Sequence, residues 1–317
     1  DPEAAQARAR GRLEDAAADL IARALAETEG DILAFLPGAG EIARTAERLA
    51  GRTAAAVRPL YAGLPFAEQR AALSPEPDGR RRIVLATSIA ETSLTVAGVR
   101  VVVDAGRARR SRTNAATGMS RLVTEPVSRA EADQRRGRAG REGPGVCYRL
   151  WTRGEEGGLP AYAPPETLST DLAPLALELA AWGAGEPSEL AFLDQPPEGA
   201  LAEARALLAG LGALDTAGRI TPHGRAMAAQ PTHPRLAHMR LAAAERGLEG
   251  EAALLAALLG ERDPLTGGDR PADLRLRLAG VLDPKRTEAE SPLRVDRARA
   301  ERIRAETRRL SRTRPDP

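Results

Sequence analysis

Along the first half of the chain, apolar positions switch between helical and strand spacing. Leu13, Ala17, Leu20, Ile21, Ala24 and Leu25 fall on one helical face, and Gly30 supplies a stop. "ILAFL" (32–36) is then a short continuous apolar run closed by "PGAG", as expected of a buried strand. "EIARTAERLA" returns to helical spacing, "AAVRPLYA" reads as strand and "PFAEQRAAL" as helix. "RRIVLAT" and "VRVVVDAG" are two further β-branched runs. "GRARRSRTNAATGMSRLVTEP" (106–126) alternates on both sides of "NAATG", which predicts a hairpin. In "SRAEADQRR", Ser128 and Glu131 stand at capping-box spacing and mark a helix start. "GVCYRLW" (145–151) is a last strand. Helices alternating with buried strands predict an α/β fold around a parallel sheet covered on both faces.

The texture changes after about residue 160. "LPAYAPPETLSTD" is a Pro-rich connector, and Ala/Leu helices follow it. "TDLAPLALELAAWG" and "PPEGALAEARALLAGLGAL" read as helices, whereas "TPHGRAMAAQ" reads as a short strand-like turn. "LGALDTAGRITPHG" has two apolar pieces around "DTAGR", a hairpin pattern. Two helices and such a wing predict a winged helix over 161–228. "HPRLAHMRLAAAERG" and "EAALLAALLGERDPL" predict a helical bundle over 229–292, and the Arg-rich tail 293–317 reads as helix or disorder. This leaves 1–29 as an N-terminal helix or linker and 30–160 as the sheet domain. No internal repeat is present.

Charge changes the picture. The net +2 hides an asymmetry: residues 80–153 carry sixteen arginines against six acids, or +10, so the remainder sums to −8. Such a concentration is a footprint for phosphate in nucleic acid or nucleotide, or else a solvated basic surface. Lys285 is the only lysine among 46 basic residues, and it does not follow a glycine. The phosphate loop GxxxxGK[ST] is therefore absent from this chain. The single cysteine, Cys147, excludes an internal disulfide and a multi-thiolate metal site, and reads as an inert core thiol. His223, His233 and His238 lack acidic neighbours in sequence, and no metal site is expected. Trp151 and Trp182 read as packing residues. "DPEAAQARARGRLED" lacks the apolar core of a signal peptide, and no run approaches the roughly 20 residues of a membrane span. A cytoplasmic address is expected.

Four stretches then occur in one order: "LAFLPGAGEI" (33–42), "PLYAGLPFAEQR" (59–70), "ATSIAETSLTVAGVRVVVDAG" (86–106) and "QRRGRAGR" (134–141). Together they resemble the second RecA-like domain of DEAH-box helicases, nearest to the bacterial HrpB-type branch. "FLDQPPEGALAEARALLAGLGALDTAGRITPHGRAM" and "PTHPRLAHM" look like that family's winged helix and the start of its helical bundle. The resemblance covers roughly residues 30–280.

The resemblance implies roles for particular residues. Arg138 and Arg141 would be arginine fingers, and Gln134 would orient the attacking water or contact the γ-phosphate. Guanidinium groups of this kind stabilise the charge that develops in phosphoryl transfer. Three residues apart, the two arginines would share a face on a helical turn, and Gly137 and Gly140 would permit close backbone approach. Thr87 and Ser88 would face nucleic acid, while Ser93 and Thr95 would lie near the nucleotide. Gly38 would open a helix toward a nucleic-acid phosphate. Arg107, Arg109, Arg110 and Arg112 would meet phosphates from a strand-separating hairpin. Three positions depart from the family: Ser88 replaces a usual Asn, Ala97 a common acid, and Arg136 a small residue.

ATP with Mg2+ is the implied cofactor. Its cradle and the Asp-Glu-Ala-His segment belong to a first RecA-like domain that these residues do not contain. The expectation is a C-terminal portion of an ATP-dependent helicase, inactive alone, with that first domain and single-stranded nucleic acid, RNA favoured, as partners. Two other classes remain in view: a non-enzymatic winged-helix adaptor with a degenerate sheet domain, and an interaction scaffold of Ala/Leu helices. A pure binder has no need of the Gln-Arg-Gly spacing, and the +10 cluster disfavours a scaffold.

Overall fold

The computed structural model describes residues 12–91, 96–114, 119–141 and 143–312. The chain divides into two compact units, Asp1–Ser169 and Thr170–Pro317, and the division falls inside the Pro-rich connector.

The first unit is built on a five-stranded parallel sheet. Its strands are β1 (Asp31–Phe35), β2 (Ala56–Leu60), β3 (Arg82–Ala86), β4 (Val99–Asp104) and β7 (Val146–Arg149), in the order β2-β3-β1-β4-β7. Alternation within each buried run sends side chains to two cores. Ile32, Ala34, Ile83, Leu85, Val101 and Val103 meet α1 (Leu13–Glu27) and α2 (Ala39–Leu49). Leu33, Phe35, Val84 and Val102 form the opposite layer with Ala72 of α3 (Phe66–Leu73) and with Ala139. A parallel sheet covered on both faces is what the continuous apolar runs predict.

At the carboxyl end of β4 the chain turns sharply at Gly106, whose φ is +69°. A Cβ there would stand 2.7 Å from the Trp151 ring, so the turn tolerates only glycine. The turn launches the expected hairpin, β5 (Arg107–Asn114) against β6 (Met119–Pro126), with Arg107 opposite Pro126. Its tip lies outside the described residues. Helix α4 (Arg129–Gly137) begins at the predicted place: the Glu131 amide donates to Ser128 Oγ at 3.2 Å, and the Ser128 amide donates to the Glu131 carboxylate at 2.6 Å. The short α5 (Arg153–Gly157) follows β7.

The second unit is helical, with α6 (Ala173–Trp182), α7 (Glu198–Gly210), α8 (Pro222–Ala228), α9 (Pro234–Ala244), α10 (Glu249–Gly260), α11 (Leu274–Leu282), α12 (Pro284–Glu290) and α13 (Arg297–Arg312). The two-residue strands Leu265–Thr266 and Arg294–Val295 pair antiparallel. Two expectations need correction here. "TPHGRAMAAQ" forms helix α8 rather than a strand-like turn, because Thr221 caps the Gly224 amide and Pro222 occupies the first helical position. Trp182 does not pack: as the last residue of α6, before the left-handed Gly183, it is 77% exposed. The "DTAGR" hairpin is a single antiparallel bridge, Leu214 to Ile220. Buried side chains from α6, α7, α8 and α9 make one core, and those of α10, α11 and α13 another. The Arg-rich segment is helical because Ile303 and Leu310 bury one stripe of it, and buried Arg240 donates to the Leu310 carbonyl at 2.7 Å. Among the described residues, no helix is long and apolar enough to cross a membrane.

Candidate nucleotide and nucleic-acid site

Ligands of open α/β sheets bind beyond the carboxyl ends of the strands. Several of the residues singled out in the sequence collect at this end, and the last turn of α4 is the centre of the group. Gln134 is exposed there, and among the described residues its amide has no hydrogen-bond partner. Helix α4 stops at Gly137, so the expected shared helical face of Arg138 and Arg141 is replaced by a turn: Arg138 caps the helix and Arg141 lies beyond it. Arg138 is half-buried and donates to the Glu91 carbonyl, whereas Arg141 is exposed. Burial, and then the charge of Arg141, hold the Arg138 guanidinium below its ordinary pKa.

A side chain at Gly137 or Gly140 would meet nothing within 4 Å on this chain. Within this chain the close approach is at Gly145, where a Cβ would collide with the Ala139 carbonyl oxygen. Buried Ala139 thus packs against the backbone of Gly145, just before β7, and ties the loop that carries Arg138 to the sheet.

Arg135, left without a role by the sequence, is the best-anchored side chain of the group. It is 1% exposed. Its Nη1 donates to Asp104 Oδ1 at 2.9 Å and to the Arg107 carbonyl at 3.3 Å, and its Nε donates to Glu91 Oε2 at 3.2 Å. The guanidinium also lies over the Phe35 ring, 5.0 Å from its centroid. Burial would lower its pKa, but the attraction of Asp104 and Glu91 outweighs it and holds arginine above its ordinary value. For Glu91 the balance reverses: burial raises its carboxyl above the ordinary range despite Arg135. Sequence reasoning missed this cluster. Its one signal was an acid closing the apolar run "VRVVV".

Thr87 and Ser88 follow β3, with Thr87 half-buried and Ser88 exposed at the start of a 3-10 turn, Ser88–Ala90. Neither hydroxyl has a hydrogen-bond partner among the described residues. Ser93 and Thr95 lie outside the described residues. Gly38 is the N-cap of α2, but the space above it is filled. A Cβ there would strike the Arg109 guanidinium, which is paired with Glu41 at 3.0 Å.

The hairpin arginines are likewise engaged. Arg110 pairs with Glu131 at 2.6 Å, and Arg112 forms a two-pronged pair with Glu125 at 2.8 and 2.6 Å. The histidines also find local partners. His223 and His238 share a 2.9 Å hydrogen bond, and His233 meets Asp171 at 3.2 Å. Cys147 is half-buried on β7, and burial pushes its thiol up to about 12, which keeps it inert. Among the described residues no group of three or more His, Cys, Asp or Glu could hold a metal ion.

Comparison with known proteins places this geometry. The model of the helicase conserved C-terminal domain matches residues 15–143. The ATP-dependent RNA helicase HrpB of Escherichia coli K12 is 43% identical over 260 residues, 81% of this chain and 32% of that protein. The pre-mRNA-splicing factor ATP-dependent RNA helicase prp22 of Schizosaccharomyces pombe is 38% identical over 244 residues, 74% of this chain and 21% of that protein. The crystal structure of Escherichia coli DEAH/RHA helicase HrpB superposes with a TM-score of 0.79 at 39% identity, covering 95% of this chain and 36% of that one. The chain spans about a third or less of the length of these relatives. Fold, motif order and sequence agree: the chain belongs with the C-terminal helicase parts of the HrpB-like DEAH-box proteins.

Proposed function

We propose that this chain supplies one half of a composite ATP-hydrolysing site in an RNA helicase. Arg138 and Arg141 act as fingers on the γ-phosphate, and Gln134 orients the attacking water. ATP and Mg2+ are held by a first RecA-like domain, which also carries the phosphate cradle. The observation that carries this reading is the placement of Arg138 and Arg141 just beyond the last turn of α4, in a chain that belongs with the HrpB-like helicases. Guanidinium groups there would stabilise the charge that develops on equatorial phosphate oxygens in the transition state.

Thr87 and Ser88, with hydroxyls unengaged among the described residues, suit backbone phosphates of a single strand. Contacts from Gly38 and the hairpin arginines require a phosphate to displace the carboxylates that now hold Arg109, Arg110 and Arg112. Residues 161–228 act as a winged helix and 229–292 as a bundle beside the strand, where binding is electrostatic and largely independent of sequence. RNA is favoured because the similar proteins carry RNA helicase names. Ser93 and Thr95 remain the proposed nucleotide contacts, and the cytoplasm the proposed address.

The test is ATP turnover with and without single-stranded RNA. This chain alone should be inactive, and a polypeptide joining it to a first RecA-like domain should turn over ATP faster when RNA is added. Stimulated turnover by this chain alone, or none by the joined protein, overturns the reading. RNA binding without turnover in the joined protein would point to the adaptor instead.

A further inference from the structure

Arginine is seldom buried completely, and it stays buried only when its charge and its donors are matched. Arg135 meets that condition with groups from four parts of the first unit. These are Asp104 at the end of β4, Glu91 after the Ser88–Ala90 turn, the Arg107 carbonyl at the hairpin base, and the Phe35 ring at the end of β1. Phe35 and Asp104 are partners in the sheet register, so the guanidinium is seated over adjacent strand ends. Asp104 Oδ1 also accepts the Gly106 amide at 2.9 Å, which ties the same carboxylate to the turn that starts the hairpin.

Glu91 is held twice from the last turn of α4. Its carboxylate accepts from Arg135, and its backbone carbonyl accepts from Arg138. Arg138 follows Arg135 by three residues, and its amide donates to the Arg135 carbonyl at 3.0 Å. Any shift of Arg135 therefore moves the base from which Arg138 projects, and moves the segment that carries Thr87 and Ser88 with it.

We infer that Arg135 is a positioning residue: seated between Asp104 and Glu91, it fixes the end of α4 against the 87–91 turn, so that Arg138 and Arg141 are presented from an immobile base. The inference rests on the proposed finger role of those two arginines. A planar, forked guanidinium is needed because the two carboxylates lie on different elements, and lysine offers only a point charge to one of them. Displacing a catalytic group by about 1 Å can cost about 10²-fold in rate.

The experiment compares Arg135→Lys, Glu91→Gln and the double variant in the joined protein, with Arg138→Ala as reference. It measures RNA-stimulated kcat, KM for ATP and melting temperature. Each single variant should lower kcat by about 10²-fold while KM for ATP stays within about threefold, since only transition-state contacts are misplaced. The double variant should fall little further than either single one, because both break the same node. The loss should persist at temperatures where the variant is fully folded.

A normal kcat in Arg135→Lys, with Arg138→Ala inactive, overturns this inference and leaves the finger reading intact. A kcat that falls only in proportion to the unfolded fraction assigns Arg135 a purely structural role and also overturns it. No turnover in the unsubstituted joined protein removes the finger reading, and this inference falls with it.

Discussion

Two groups of arginines sit within the basic stretch, and they are held in opposite ways. On the hairpin, Arg109, Arg110 and Arg112 reach Glu41, Glu131 and Glu125 of the same chain at 2.6–3.0 Å. At the end of α4, Arg135 is buried to anchor the loop, Arg138 rests on a backbone carbonyl, and Arg141 projects without an ion pair among the described residues. The hairpin group largely cancels its own charge, as does buried Arg135 between Asp104 and Glu91, whereas exposed Arg141 meets no carboxylate among the described residues. A basic count of +10 over 80–153 therefore overstates what a ligand meets on the hairpin. What distinguishes Arg141 from the hairpin arginines is the supply of carboxylates within reach.

The largest expected effect tests that distinction through rate. In the joined protein Arg138→Ala should lower ATP turnover by about 10³-fold or more, with RNA affinity nearly unchanged. Arg112→Ala, which leaves Glu125 to Arg110 alone, should change turnover by less than about tenfold; a single-turnover assay separates the two outcomes.

The next effect is on stability. Arg135→Met would strand Glu91 and Asp104 in the interior, and losing one partner of a buried ion pair costs about 3–5 kcal/mol. Arg141→Met, at an exposed position, should stay within about 0.5 kcal/mol. In a Trp182→Phe background, fluorescence of buried Trp151 during urea unfolding reports both on the first unit.

Removing the α4 cap is smaller still. Ser128→Ala deletes the acceptor of the Glu131 amide and should cost about 1 kcal/mol by the same reporter.

The smallest effect is a pH dependence. Burial works against the charged form of Glu131, but the Ser128 amide and hydroxyl and Arg110 outweigh it, so the carboxyl is held below its ordinary 4.5. A depressed carboxylate stabilises the fold above 4.5 and loses that contribution as pH falls through its folded value. Glu91 has the opposite sign: its raised carboxyl favours the fold most at low pH and loses that as pH rises. Glu131→Gln should therefore weaken the loss of stability below pH 4.5, by under about 1 kcal/mol, in acid titrations of urea midpoints.

Much of this could be read in one dimension. The apolar runs in "ILAFL" and "VRVVVD" specify strands buried on both faces, and Ser128 with Glu131 specifies a helix start; both signals depend only on near neighbours. Thr221 with Pro222 carried the same kind of signal for α8, masked by the short apolar spacing around it. Trp182 was misjudged because bulk predicts burial only when another element covers the position, and sequence spacing does not report coverage.

The sequence alone determined the element order of the first unit, its parallel sheet, the α4 cap and the ordered motifs that mark the helicase family, since each is encoded by local period, capping chemistry or residue identity. Only the tertiary structure decided which charges are available. Glu41, Glu91, Asp104, Glu125 and Glu131 lie between 13 and 68 positions from the arginines they neutralise or anchor, apart from the local pairs inside each element. Ion pairs depend on distance in space and on burial, and neither is fixed until the sheet has brought its strand ends together.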